Sequence, residues 1–341
     1  MKTCGADSTA NGAAATSGTQ LCLRMGYGLT IDRRTFALSG AAALGTLWTP
    51  RLWSEVAQTA SPTLFHFAVV SDTHIIDDYY QKGTENGVED NESILRTTER
   101  LVAARTLINS LRPKIEQVFV PGDCFHNYPS ADYNFYFKNR TRIDIAKELF
   151  DGFEMPVHLG FGNHDYDVPR VSREMSHRLF AEKLKAKPYS SVDYKGFRFV
   201  HLNNFMGATW DKSSDQFNKG LGSLGEEQLN WFEGQLQDRK PTVVFIHYPL
   251  WIVVPTEVKD YGVHQMLYKY RDSIQLVVAG HWHKWVDFAH TYGPQHYVTA
   301  ATRYDPNAYM LFEADSKKQT LRWINEDLVQ WSTHYAKPYK G

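Results

Sequence analysis

Five times along the chain, a β-branched or aromatic run ends in a short cluster of acids, amides and histidines, and this recurrence constrains the fold more than any other feature. The clusters are Asp72-Thr73-His74, Gly122-Asp123-Cys124-Phe125-His126, Gly162-Asn163-His164-Asp165, His247 within Phe245-Ile246-His247-Tyr248, and Gly280-His281-Trp282-His283. Buried strands fix position while the loops after them stay open to solvent, so an α/β scaffold carries its chemistry on polar residues at strand ends. The clusters therefore read as one site assembled from distant sequence. Carboxylates, an amide oxygen and imidazoles together suit two hard or borderline divalent ions, with one carboxylate shared between them. Six of the fourteen histidines fall inside the clusters, and the carboxylates fall with them, which argues against scattered surface histidines.

In order and composition the clusters resemble the calcineurin-like metallophosphoesterase superfamily, which includes purple acid phosphatases and bacterial cyclic-nucleotide phosphodiesterases. The resemblance spans roughly residues 64 to 315. It implies a four-layer α/β/β/α sandwich of two mixed sheets flanked by helices. It also implies that Asp72, His74 and His283 ligate one ion, that Asp123 bridges, and that Asn163, His247 and His281 ligate the second. His164 resembles the family's substrate-facing histidine, and Asp165 the carboxylate that orients it. The implied activity is attack on a phosphate ester by metal-activated water. With imidazole and carboxylate but no thiolate cluster, the two ions are expected from iron, manganese and zinc. Purple acid phosphatases carry an iron-binding tyrosine where this chain resembles them at His126, so a coloured tyrosinate complex is not expected. His126 is then a further ligand, a donor behind the ligands, or a loop residue, and the sequence leaves all three open.

Substrate preference is less legible. The segment from Asn127 to Arg142 carries Tyr128, Tyr133, Phe135, Tyr136, Phe137, Lys138 and Arg140. It either walls the site, stacking on an organic group while Arg140 or Arg142 attracts phosphate, or packs on the body of the enzyme. Arg170, Tyr248, Trp251 and Trp282 are further rim candidates. A diesterase needs room for two organic groups, whereas a monoesterase needs positive groups near its more highly charged phosphate. The expectation leans to diesters. A phosphomonoesterase of the same fold and a metal-containing binding protein without turnover are the alternatives.

A formal net charge of -1 and the lack of a polybasic block exclude strong counterion-release binding, so a small phosphate ester is expected as partner rather than a nucleic-acid polymer. Of Cys4, Cys22 and Cys124, only Cys124 lies in the expected mature segment, which leaves no internal disulfide there. Residues 1 to 20, rich in Ala, Gly, Ser and Thr, cannot bury enough apolar surface to hold a fold. Next comes Asp32-Arg33-Arg34-Thr35-Phe36-Ala37-Leu38, ahead of the weakly apolar run Gly40 to Gly45. A paired arginine before a short apolar segment resembles a twin-arginine export signal. The run is too short and too rich in Gly and Ala to span a membrane. Met25 would begin a conventional short leader. The expected division is a disordered leader and signal over 1–60, cleaved near Ala57 to Ala60, and one domain over 61–341. Export machinery would handle the precursor, and the mature enzyme would be periplasmic or secreted.

Strands are expected at 64–70, 117–120, 157–161, 194–202 in two pieces turning at Lys195-Gly196, 242–246, 274–278, 295–299, 308–314 and 319–324. Helices are expected at 92–111, 171–187 and 224–236, the last started by Ser223 with Glu226 as its capping partner.

Overall fold

Strands covered on both faces read as continuous apolar runs, and this chain's two sheets are built from such runs. The computed structural model describes residues 63–331 and the backbone of 333–334. The Arg33-Arg34 signal and the cleavage region near Ala57 lie outside the described residues. In chain order the strands are β1 (Leu64–Val70), β2 (Gln117–Val120), β3 (Val157–Leu159), β4 (Ser190–Tyr194), β5 (Phe197–His201) and β6 (Thr242–Ile246), followed by β7 (Ile274–Ala279), β8 (Val286–Asp287), β9 (His296–Val298), β10 (Tyr309–Asp315), β11 (Thr320–Trp323) and β12 (Thr333–His334). One sheet runs β11-β10-β1-β2-β3 and the other β12-β8-β9-β7-β6-β5-β4. The neighbours β1, β2 and β3 are parallel, as are β5, β6, β7 and β9.

Strand alternation assigns each residue to a layer. Phe65, Phe67 and Val69 of β1 and Phe119 of β2 meet Phe197, Phe199, Val243, Phe245, Leu276 and Val278 of the opposite sheet in one buried cluster. Phe119 stacks on Phe199 at 4.6 Å and on Phe245 at 4.7 Å between ring centroids. The alternate residues Val70, Val118, Val120, Val244 and Ile246 join the outer cores with Leu101, Ile108, Ala146, Phe232 and Met266 from the helices. The result is the expected α/β/β/α layering. Burying each phenylalanine contributes about 1.5–3 kcal/mol, so the interface between the sheets is a stiff base. The parallel strands of both sheets end at the same edge, and all five polar clusters follow those ends. No helix among the described residues is long and apolar enough to cross a membrane.

Two local expectations need correction. The helix at 92–111 is two helices, Val88–Ile94 and Thr97–Ser110, because Arg303 takes the Asp90 carbonyl (2.9 Å) and the Ser93 hydroxyl (3.0 Å) where the first turn would continue. The helix Glu226–Leu236 begins after Gly225, at φ 81°, without the Ser223 cap. The Ser223 hydroxyl is held by Thr209, and Glu257 accepts the Leu224 and Gly225 amides instead. An unexpected helix, Arg142–Asp151, follows Thr141, whose N–H donates to Asp144 at 2.9 Å. That Thr-x-x-Asp spacing was the overlooked signal.

Candidate metal centre

The loops after β1, β2 and β7 turn sharply enough to put five site residues in left-handed backbone: Asp72 (φ 55°), His74 (45°), Asp123 (53°), His281 (71°) and His283 (55°). Such conformations cost about 1–3 kcal/mol each unless their surroundings enforce them. Here the loops zip together. The Asp72 N–H donates to Gly122 O (3.2 Å), the His74 N–H to Asp123 O (2.9 Å) and the Gly280 N–H to His247 O (3.0 Å). Gly162 and Gly280 allow the close approach, since a Cβ at either would overlap the Asp123 or the Asp72 carboxylate.

Three groups of donor atoms could each hold a cation: Asp72, His74, Asp123 and His283; Asp123, His247 and His281; and His74, His126 and His164, which has no carboxylate. Asn163 joins the second group, its Oδ1 lying 3.1 Å from His247 Nε2. Asp123 belongs to the first two. One of its oxygens, Oδ1, accepts the His164 backbone N–H at 2.8 Å. The other, Oδ2, is buried with no hydrogen-bond partner among the described residues, 3.4 Å from His74 Nε2 and 3.2 Å from His247 Nε2. A buried carboxylate oxygen without a partner is costly, and a bound cation would remove that cost.

His74 Nε2 and His283 Nε2 lie 3.1 Å apart. Both nitrogens are close enough together to reach one ion. Burial pushes His281 down to about 3, and burial holds His74 well below the usual histidine range. Both rings therefore present lone pairs at neutral pH. Burial alone would raise the Asp123 carboxyl, but His247, His164 and His74 around it hold it well below the usual range. The residues fit two ions sharing Asp123.

Comparison with known proteins agrees with this geometry. The family model for calcineurin-like phosphoesterases matches residues 65–285. The chain belongs to the calcineurin-like phosphoesterase family. It is a metal-dependent phosphoesterase. A probable glycerophosphodiester phosphodiesterase, GpdQ, of Arcobacter nitrofigilis is 25% identical over 251 residues, covering 69% of this chain and 83% of that relative. The crystal structure of a dimetal phosphatase from Danio rerio superposes with a TM-score of 0.50 at 17% identity, covering 74% of this chain and 93% of that one, and so supports the fold.

Around the phosphoesterase centre, some sequence expectations change. Asp165 does not touch the His164 ring. Its carboxylate accepts the backbone N–H groups of Gly162 (2.8 Å), Cys124 (3.2 Å) and Phe125 (3.2 Å), clamping the second and third loops together. The residue that holds His164 is Asn127, with Oδ1 3.1 Å from Nδ1. His126 has protein partners at both nitrogens: His74 Nδ1 at 3.1 Å and Glu85 Oε1 at 3.2 Å.

The aromatic segment packs mainly on the body. Tyr136 is fully buried, with its hydroxyl on Ser130 O at 2.5 Å, and Tyr128 donates to Asp165 O at 2.8 Å. Tyr133 lies under the Arg178 guanidinium, and Arg140 pairs with Glu148 on the surface. A cavity of about 340 Å³ beside His126 is lined by Tyr79, Tyr80, Asn127, Tyr128, Arg142 and Arg170. Tyr248 is buried with its ring 4.2 Å from His281, while Trp282 and the exposed Trp251 flank Phe288 at 5.8 and 6.3 Å. Glu85 and Arg303 carry no motif signal, and Asn127, directly after the second cluster, reads in the sequence only as the start of the aromatic segment.

Proposed function

We propose that this phosphoesterase hydrolyses phosphodiesters of small organic alcohols, with Asp72, His74, Asp123 and His283 holding one ion and Asp123, Asn163, His247 and His281 the other. The ions are iron, manganese or zinc, as suits imidazole and carboxylate donors. The observation that carries the diester reading is charge matching: Arg142 pairs with Asp77, Arg140 with Glu148 and Arg170 with Asp167. A monoester dianion calls for unpaired positive groups, whereas a diester carries one charge and does not. The relative described as a probable glycerophosphodiester phosphodiesterase supports the same side.

When bound, two ions offset the negative charge of the ester, lower the pKa of a bound water and align it with the leaving group. The chain's own residues do the rest. Asp123 supplies the charge common to both donor groups. Asn127 Oδ1 accepts from His164 Nδ1 and so aims Nε2 at the site, where the ring can donate to a phosphate oxygen or to the departing alkoxide only as the imidazolium, protonated on both nitrogens. Asp165 keeps the Asp123 and Asn163 loops in register through its three amide contacts. The 340 Å³ cavity beside His126 receives one of the organic groups.

A kinetic panel of aryl monoesters, aryl diesters and cyclic nucleotides, run with each metal at several pH values, tests this reading. Diesters should lead in kcat/KM, and a monoester preference of about two orders of magnitude would reverse it. No turnover on any ester would leave a metal-containing binding protein. The proposal includes export to the periplasm, which Arg33 and Arg34 support. Replacing both with lysine should trap the precursor in the cytoplasm on fractionation, and periplasmic recovery indifferent to the change would contradict it.

A further inference from the structure

We propose that Glu85, acting through His126, fixes the proton of His74 on Nδ1 and so turns the Nε2 lone pair toward the first ion. Glu85 and His126 are then positioning residues, and His126 is not a ligand. The inference rests on the metal reading above and adds to it the direction of each hydrogen bond behind the site.

Four side chains form a continuous line. Arg303 Nη2 lies 2.6 Å from Glu85 Oε2, Glu85 Oε1 lies 3.2 Å from His126 Nε2, and His126 Nδ1 lies 3.1 Å from His74 Nδ1. The far edge of His74, Nε2, faces Asp123 Oδ2 and His283 Nε2. The line is largely buried, with side-chain exposures of 3% for Arg303, 13% for Glu85, 6% for His126 and 0% for His74. His126 borders the cavity at one edge, and Glu85 Oε1 also accepts the Tyr80 hydroxyl at 3.0 Å.

The order of protons follows from what each group can do. An arginine only donates and does not lose its proton in proteins, so it keeps an ionised Glu85 beside it. An ionised carboxylate only accepts, so His126 must donate from Nε2. With His74 Nε2 turned to an ion, the proton of that ring sits on Nδ1, so across the 3.1 Å contact His74 donates and His126 accepts at Nδ1. His74 Nε2 is left unprotonated, the state that a metal ligand requires. Arg303 also donates its backbone N–H to Asp72 O at 3.1 Å, so one residue secures two members of the same donor group. The His126 ring is held in plane by His164, stacked at 4.4 Å and 23°.

Glu85→Gln is a near-isosteric test because it reverses the polarity of the line. Arg303 claims the amide oxygen, the amide nitrogen then donates to His126 Nε2, and the proton moves to His126 Nδ1. His74 must accept there and carry its proton on Nε2, where it blocks the ion.

The experiment uses the full chain stripped of metal. Long-range proton–nitrogen spectra of the wild type should show His126 protonated at Nε2 and His74 at Nδ1, with both reversed in Glu85→Gln. Calorimetric titration with Zn²⁺ alone should show the first ion weakened about 10–100-fold in Glu85→Gln and in His126→Phe, with the second unchanged. A proton on Nδ1 of wild-type His126, wild-type affinity in Glu85→Gln, equal weakening of both ions, or a third ion held by His74, His126 and His164 would each overturn the proposal. Should Glu85→Gln not fold, the wild-type spectra still decide it. Absence of zinc binding by the wild type would instead overturn the metal reading, and the two failures are thereby distinguishable.

Discussion

His296 and His74 are both fully buried, yet their partners differ in kind. His296 accepts the Leu250 backbone N–H at Nε2 (3.3 Å) and donates from Nδ1 to Val277 O (3.2 Å), while its ring stacks on Phe288 at 5.1 Å. One neutral tautomer satisfies every contact. His74 instead meets the nitrogens of His126 and His283 and an unpartnered oxygen of Asp123. Burial alone does not mark a functional histidine. A buried carboxylate oxygen left without a hydrogen-bond partner among imidazole nitrogens does, and a cation would supply that partner.

The sharpest way to break this contrast is Asp123→Asn. Removing the shared charge should weaken both ions and lower kcat/KM by about 10³-fold or more, several kcal/mol at 1.36 kcal/mol per tenfold. Parallel kinetics and element analysis would show it, and normal ion content in an inactive variant would separate charge from ligation. His164→Ala comes next. It should keep both ions yet lower kcat by about 10²-fold, and loss of metal would show that the ring is a ligand. On the other side of the contrast, His296→Ala should leave ion content and turnover intact while lowering unfolding stability by about 2–4 kcal/mol, through a cavity and an unpaired Leu250 amide. Denaturant unfolding measures this directly.

The smallest effect is in the pH dependence. Burial pushes His296 and His264 each down to about 4, from an ordinary value near 6.5. Between these values the unfolded chain binds protons that the folded chain refuses, so their contribution is complete above pH 6.5 and is lost as pH falls toward 4. The slope is roughly 1.4 kcal/mol per pH unit for each histidine. His296→Ala should flatten the measured slope by one such share, and an unchanged slope would show that His296 is protonated in the fold.

Much of this architecture was legible in the sequence because its strands are continuous apolar runs. Leu64–Val70, Gln117–Val120 and Thr242–Ile246 fall where the pattern puts them. The helix boundaries were harder, since Arg303, more than two hundred residues downstream, decides where Val88–Ile94 stops, and Glu257 displaces the local Ser223 cap. In the site, the five clusters converge because they end parallel strands of facing sheets. Partner choice behind the site was not legible. Asp165 next to His164 in sequence suggested contact, but the short 3₁₀ turn Asn163–Asp165 points its carboxylate back at the Cys124 and Phe125 amides and leaves the ring to Asn127.

The most direct test of the central claim is a crystal structure of metal-loaded protein with anomalous scattering at each metal edge. The account predicts two ions about 3.5–4 Å apart, with Asp123 between them and His74 and His247 on opposite sides. A single ion, no ion at full loading, or two ions that do not share Asp123 would contradict it.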